Sequence, residues 1–423
     1  MLTRFRTGLR RLSGRTGLAG LALLSAGALA QADTPPITLA QAFEAAWARQ
    51  AEALSAPTLR EAARQQGQAA RRWSAEPPTL ELSLASDRYL GRNSGQREQS
   101  LGLTLPLWRP GERQSSQALA DAELAAVDSR SAAAAWRLAG SLREAWWARQ
   151  RARQNEALAQ ARERSAAALA RDVQRRVAAG ELARSDAHQA EGLLAAARAE
   201  AALARAESTQ ALLALKALGV GAEPEERPEP LPELARELGP EVGEPGLAHP
   251  ALRELQDRRL LAERQRALAA TQGRANPELS LSSSRERGDF GEAYGRNLSL
   301  GLKLPLGNEA GQRARLATAG SALIEAEAQL NLERQRLGSE LAGARARLEA
   351  AEQALDAARQ RARLATEAHG FIEKSFRLGQ SDLPTRLRVE LEAFEAQRQQ
   401  ALAQLARHQA VSALRQALGL LPQ

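Results

Sequence analysis

The amino-acid sequence predicts a mainly α-helical protein with a small membrane β part, built from long helical hairpins and four short strands per chain. Three observations lead there. Apolar residues make up 44% of the 423 residues, aromatics only 3% and charged residues 26%, a balance in which alanine and leucine must carry the burial. Such a composition suits long helices packed through small side chains. A unit of roughly 190 residues occurs twice along the chain. Four segments alternate leucine with small or polar residues, which is the period of a strand with two unlike faces.

Residues 1–32 read as a secretory signal peptide. Arg4, Arg6, Arg10, Arg11 and Arg15 form a basic start, an apolar run follows from Leu18 to Ala30, and an Ala-x-Ala end falls at Ala28–Ala30 or Ala30–Ala32. The run is too short for a transmembrane anchor, which needs roughly 20 apolar residues. Five of the 58 basic residues and none of the 50 acids lie in this segment, so its removal lowers the net charge from +8 to +3. That balance gives no argument for nucleic acid as a partner. Arginine and glutamate alternate along the later helices as on a solvated face.

The first copy of the repeat spans 33–218 and the second 247–419, with a tail at 420–423. Leu101-Gly-Leu-Thr-Leu-Pro-Leu107 recurs as Leu300-Gly-Leu-Lys-Leu-Pro-Leu306, Gly180 as Gly379, and Leu218-Gly219 as Leu418-Gly419. Between the copies, 219–246 holds Pro224, Pro228, Pro230, Pro232, Pro240 and Pro245 among many glutamates. Proline at that density excludes a continuous helix and marks a linker or strap. Helices are expected at about 38–74, 111–176 and 184–218, and again at about 247–274, 310–378 and 383–418. A helix as long as 111–176 spans about 100 Å, so these helices form an elongated coiled assembly.

Strands are expected at about 79–90, 98–107, 278–287 and 297–306, the length of a tilted membrane strand. Leu80, Leu82 and Leu84 alternate with Glu81, Ser83 and Ala85, and Leu101, Leu103 and Leu105 with Gly102 and Thr104. Leu279 and Leu281, then Leu298, Leu300, Leu302 and Leu304 against Ser299, Gly301 and Lys303, repeat the pattern. Thr104 and Lys303 therefore point away from the leucine side, into a lumen. Trp73 and Trp108 bracket one end of the first strand pair, and Tyr89, Phe290 and Tyr294 lie near the other, like two thin interfacial girdles. Trp47, Trp136, Trp146 and Trp147 fall in helices as packing residues. Four strands cannot close a barrel, and open edges are not tolerated in lipid, so strands must be pooled between subunits. Two chains would give eight strands, and three would give 12, wide enough for a lumen. The helices would continue that lumen into the periplasm.

Catalytic classes find no support. There is no cysteine, hence no disulfide, thiolate site, cysteine nucleophile or N-terminal lipidation. His188, His249, His369 and His408 are scattered without ligand spacing. No phosphate loop, Gly-x-Ser-x-Gly or His-Glu-x-x-His occurs. No enzyme, cofactor or metal site is expected. A periplasmic adaptor also has a long helical hairpin, but needs many more strands than four.

The two-fold repeat of paired strands and long helices resembles the TolC family of outer-membrane efflux proteins. Asn276-Pro-Glu-Leu-Ser280, and the Leu-Pro-Leu step followed by Gly111 and Arg113 or by Gly311 and Arg313, resemble its heavy-metal, CzcC-like branch. The resemblance covers nearly the whole chain beyond the signal peptide, from about Ile37 to Gly419. It implies a homotrimer with a 12-stranded barrel in the outer membrane of a Gram-negative bacterium and an α-helical periplasmic tunnel. Its implied partners are a periplasmic adaptor, an inner-membrane RND-type, proton-driven pump, and outer-membrane lipid. The cargo would be heavy-metal cations; drug efflux or type I protein secretion would use the same duct.

The resemblance also implies that each copy ends its long hairpin in a tip that docks the adaptor and gates the tunnel. The tips are Gly180, Ser185 and Asp186, and Gly379, Ser381 and Asp382. Turn chemistry alone gives another reading: a glycine stops each helix, and Ser185 or Ser381 caps the next. In the family, an acidic residue follows the tip glycine at the sixth position, with another further along the inner helix. Asp186 matches the sixth position, whereas the second copy has Thr385 there and Arg388 at the further site, with Glu390 a half-turn beyond. A complete carboxylate ring at the entrance is therefore not carried over.

Overall fold

Each copy of the repeat folds in the order helix, β-hairpin, long helix, returning helix. In the computed structural model residues 36–423 are described, apart from 88–90, 92, 93, 226, 233–247 and 308. The expected signal peptide, Tyr89 and much of the linker lie outside the described residues. The first copy contributes α1 (Leu39–Trp47), α2 (Ala51–Ala70), β1 (Thr79–Ser86), β2 (Arg97–Pro106), α3 (Glu112–Ala178) and α4 (Arg184–Ala217). The second contributes α5 (Pro250–Thr271), β3 (Glu278–Arg287), β4 (Gly295–Lys303), α6 (Glu309–Arg377) and α7 (Leu383–Ala417). With 67 and 69 residues, α3 and α6 are each about 100 Å long at the helical rise.

Small buried residues at heptad spacing hold the hairpins together. Ala152, Ala159, Ala166 and Val173 of α3 are buried seven apart, as are Ala190, Ala197 and Ala204 of α4. Leu330, Leu337 and Ala344 repeat the spacing in α6, then Leu355 and Ala362 after an 11-residue step. A seven-residue repeat keeps one seam facing its partner, and alanine lets the backbones approach closely. Further up, Phe43, Ala46, Leu138, Leu142, Trp146, Trp147 and Leu215 form a bulkier core where α1, α3 and α4 meet. Trp47 packs against that core, and Trp136 closes another with Leu252 and Leu337.

Several expected boundaries move. The single helix expected over 38–74 is two, because Gln50 is extended (φ −72°, ψ 140°) and restarts the chain as α2. Packing of Leu39, Phe43 and Ala46 into the core fixes α1 by itself. β1 stops at Ser86 rather than near 90, and β4 covers 295–303, leaving Leu304 and Leu306 beyond the strand. The linker is strapped down where it is described. Ile37 bridges Pro224 in parallel, its N–H donating to Glu223 O at 3.1 Å. Glu229 is buried between Arg143 (2.8 and 3.0 Å) and Arg415 (3.2 Å).

The four strands form one antiparallel sheet in the order β1-β2-β3-β4. β2 pairs with β3 from Arg97↔Arg287 to Pro106↔Glu278, so the two copies share one sheet. Among the described residues no helix is long and apolar enough to cross a membrane.

Candidate functional site: hairpin tips and sheet faces

Hydrogen bonds to the preceding turn close both tips. Gly180 has φ +84° and donates to Val177 O at 3.0 Å, while Glu181 N reaches Arg176 O at 2.8 Å. Gly379 has φ +73° and donates to Phe376 O at 3.1 Å, while Gln380 N reaches Ser375 O at 3.0 Å. These are paired helix-end closures in which a left-handed residue satisfies the last carbonyls, a conformation that only glycine adopts cheaply. A Cβ added to either glycine would meet nothing within 4 Å, so backbone conformation and not space selects glycine there.

The returning helices are capped differently from expectation. Ser185 lies inside the first turn of α4 and is exposed, and the N-cap is Ala183. Asp186 supplies the missing acceptor by taking the Ala183 N–H at 3.1 Å. In the second tip the cap is Asp382, whose Oδ1 accepts from Thr385 N at 3.1 Å. Thr385 also holds the exposed Asp382 carboxyl below its usual pKa range. Ser381 instead pairs its hydroxyl with that of Ser375 at 2.5 Å. Aspartate wins at these positions because a charged acceptor also meets the positive end of the helix dipole. Arg388 is exposed and bonded to Glu392 at 3.0 Å, and Glu390 turns inward, accepting from Ser165 Oγ at 2.6 Å.

The two tips are packed together through Phe376, which is 3% exposed. Leu169, Ala170, Val173, Ala190 and Leu383 surround it, drawn from α3, α4 and α7. The guanidinium of Arg176 lies 4.9 Å from the Phe376 ring centroid and that of Arg386 lies 4.8 Å away, one from each tip. Sequence reasoning passed over these three residues. The available signal was one phenylalanine next to a helix stop in a chain poor in aromatics.

The sheet separates its residues by face. Leu80, Leu103, Leu281 and Leu300 lie in one cross-strand row, Leu105, Leu279 and Leu302 in the next, and Leu82, Leu101 and Leu298 in the row on the other side. Leu82, Leu84, Leu298 and Leu300 are each about two-thirds exposed or more (68, 70, 76 and 72%). The opposite face carries Thr104, Gly102, Ser280, Ser282 and Gly301, all half-buried, together with Glu81, Glu98 and Glu286. Lys303 belongs to this face, as expected, but pairs directly with Glu278 (3.1 Å). Of the aromatics near the strands, Trp73 is 68% and Phe290 55% exposed, and Tyr294 lies 4.1 Å under Arg285.

An antiparallel sheet with one exposed leucine wall, continued by glycine-closed helical hairpins about 100 Å long, defines a membrane duct. The chain belongs to the outer membrane efflux protein family, whose model matches residues 43–219 and 247–420. It is an outer-membrane channel protein with a periplasmic helical part. Its fold is similar to that of CusC (TM-score 0.73, 18% identity over 92% of this chain and 93% of CusC). It is likewise similar to VceC of Vibrio cholerae (TM-score 0.70, 19% identity, 90% and 96% covered). The open-state MtrE channel of Neisseria gonorrhoeae gives a TM-score of 0.68 at 21% identity, with 90% and 89% covered. No curated protein matches the sequence significantly.

Proposed function

We propose that the chain forms, as a homotrimer, the outer-membrane duct of a tripartite system exporting heavy-metal cations. Twelve pooled strands would close a barrel with the leucine face towards lipid and the small-residue face towards the lumen. The edges of the sheet support pooling: β1 and β4 each have one unpaired side, which lipid does not tolerate. The observation that carries the cation reading is the charge of the luminal face. Among the described strand residues it bears Glu81, Glu98 and Glu286, and the one cation there, Lys303, is matched by Glu278. Rings of carboxylates favour cation passage.

The tips, with Gly180, Ser185, Asp186, Gly379, Ser381, Asp382 and Arg388, would dock a periplasmic adaptor, which joins the duct to an inner-membrane RND-type, proton-driven pump. Exposed Leu378 (66%) and Phe371 (74%) beside the second tip support docking of a protein there. The test is growth of cells lacking the chain on metal salts and on drugs. Lost metal resistance with unchanged drug tolerance is expected; the reverse result would make drugs the cargo.

A further inference from the structure

We propose that the hairpin end of the leucine face binds phosphate groups of anionic lipid in the outer leaflet. The inference rests on the reading that the leucine face meets lipid. Beyond the leucine rows, register brings four arginines onto that same face. Leu84, Gln99, Arg285 and Arg296 form one cross-strand row, and Ser86, Arg97 and Arg287 the next. Arg97 is directly opposite Arg287, and Arg285 directly opposite Arg296. The strand acids of this region, Glu98 and Glu286, point to the other side of the sheet, and Asp87, Asp289 and Glu292 of the adjoining loops accept from the backbone N–H groups of Ser94, Gly95, Phe290 and Gly288.

Like charges directly across a ladder repel, so two such pairs call for an anion between them. None of the four arginines pairs with an acidic side chain among the described residues. Arg97, Arg285 and Arg296 are exposed. Arg285 and Arg287 stack on Tyr294 (4.1 and 5.0 Å), and Arg287 also donates to Gly95 O at 2.9 Å, which orients these guanidiniums. Planar guanidinium forks match phosphate oxygens in paired hydrogen bonds. A ligand that touches both this band and the leucine rows below it needs an anionic head and acyl chains, which is the chemistry of a phosphorylated lipid.

The test uses the full-length mature protein, purified in mild detergent and titrated with lipid A or its dephosphorylated form, read by native mass spectrometry. Wild type should retain lipid A at least tenfold better than the dephosphorylated lipid. R285Q/R296Q should lose that preference, R285K/R296K should keep part of it, and E98Q/E286Q, on the opposite face, should keep all of it. Thermal midpoints guard against misfolding. Without lipid A the glutamine variant should melt no lower than wild type, because repulsion is removed, and only wild type should gain on adding lipid A. Equal retention of the two lipids by wild type, or undiminished retention by R285Q/R296Q, would overturn the proposal. A spin label on a cysteine placed at Leu103, in a chain with no cysteine of its own, separates the two readings. If the label is inaccessible to lipid-dissolved oxygen, the lipid-facing wall fails; if it is accessible while lipid A is not preferred, the headgroup site alone fails.

Discussion

Glu229 has its carboxylate buried between Arg143 and Arg415, and all three side chains are at most 4% exposed. Burial depresses the pKa of the Arg415 guanidinium, and the nearby Glu229 charge offsets part of that shift. Glu229→Ala would leave two buried cations without their anion, at a cost of about 3–5 kcal/mol. A fall in the thermal midpoint much larger than that for exposed Glu44→Gln would confirm it. His249 caps α5 through Nδ1, which accepts from Ala251 N at 3.2 Å, against the edge of Trp136. Burial lowers the pKa of the imidazole, with Glu333 opposing and Arg336 reinforcing the shift. The neutral ring is thus favoured in the folded state. Its contribution is fully present above the unfolded pKa of about 6.5 and is lost as pH falls through the lowered folded value. His249→Asn, which caps at any pH, should flatten the decline of thermal midpoint between about pH 7 and 5. His408 keeps a residual slope of the same sign, since burial lowers it too. None of these pairings was legible in the sequence, because Arg143, Glu229 and Arg415 meet only after the whole chain has folded.

Period-two leucines fixed the existence and the faces of the strands at the level of elements, and the register adds how those faces align across both copies. The strand ends were less legible. Alternation continues through Leu304 and Leu306, but backbone pairing stops at Lys303. The break between α1 and α2 was also hidden. It has neither glycine nor proline, and Pro57 instead lies inside α2. Tertiary packing overrode helix propensity there. The faces have a direct test. Leu103→Arg on the lipid side should cost about 2–4 kcal/mol near the midplane and reduce membrane insertion, whereas Thr104→Arg should insert normally. Equal loss in both would mean that the sheet is not a barrel wall. Lys303→Glu is a poor partner to that pair, since it would set two carboxylates opposite each other at Glu278.

At the scale of the whole molecule the repeat was the most legible feature, because an offset of 199 between Gly180 and Gly379 ends both long helices in the same left-handed turn. What the offset could not give is the way one tip holds the other, through Phe376 between Arg176 and Arg386. The tips and the sheet lie at opposite ends of α3 and α6, about 100 Å apart at the helical rise. A lesion at a tip should therefore separate function from assembly. A Cβ at Gly379 would meet no atom within 4 Å, so the expected effect of Gly379→Val is the cost of forcing a β-branched residue to φ +73°, about 1–3 kcal/mol. That is enough to displace the turn but far too little to unfold helices of this length. Cells carrying the variant should lose metal resistance while the level of trimer in the outer membrane stays normal, and Gly379→Ala, with less strain, should fall between. Loss of trimer would show that the glycine serves folding. Unchanged resistance in both Gly379→Val and Gly180→Val would remove the tips from the functional surface.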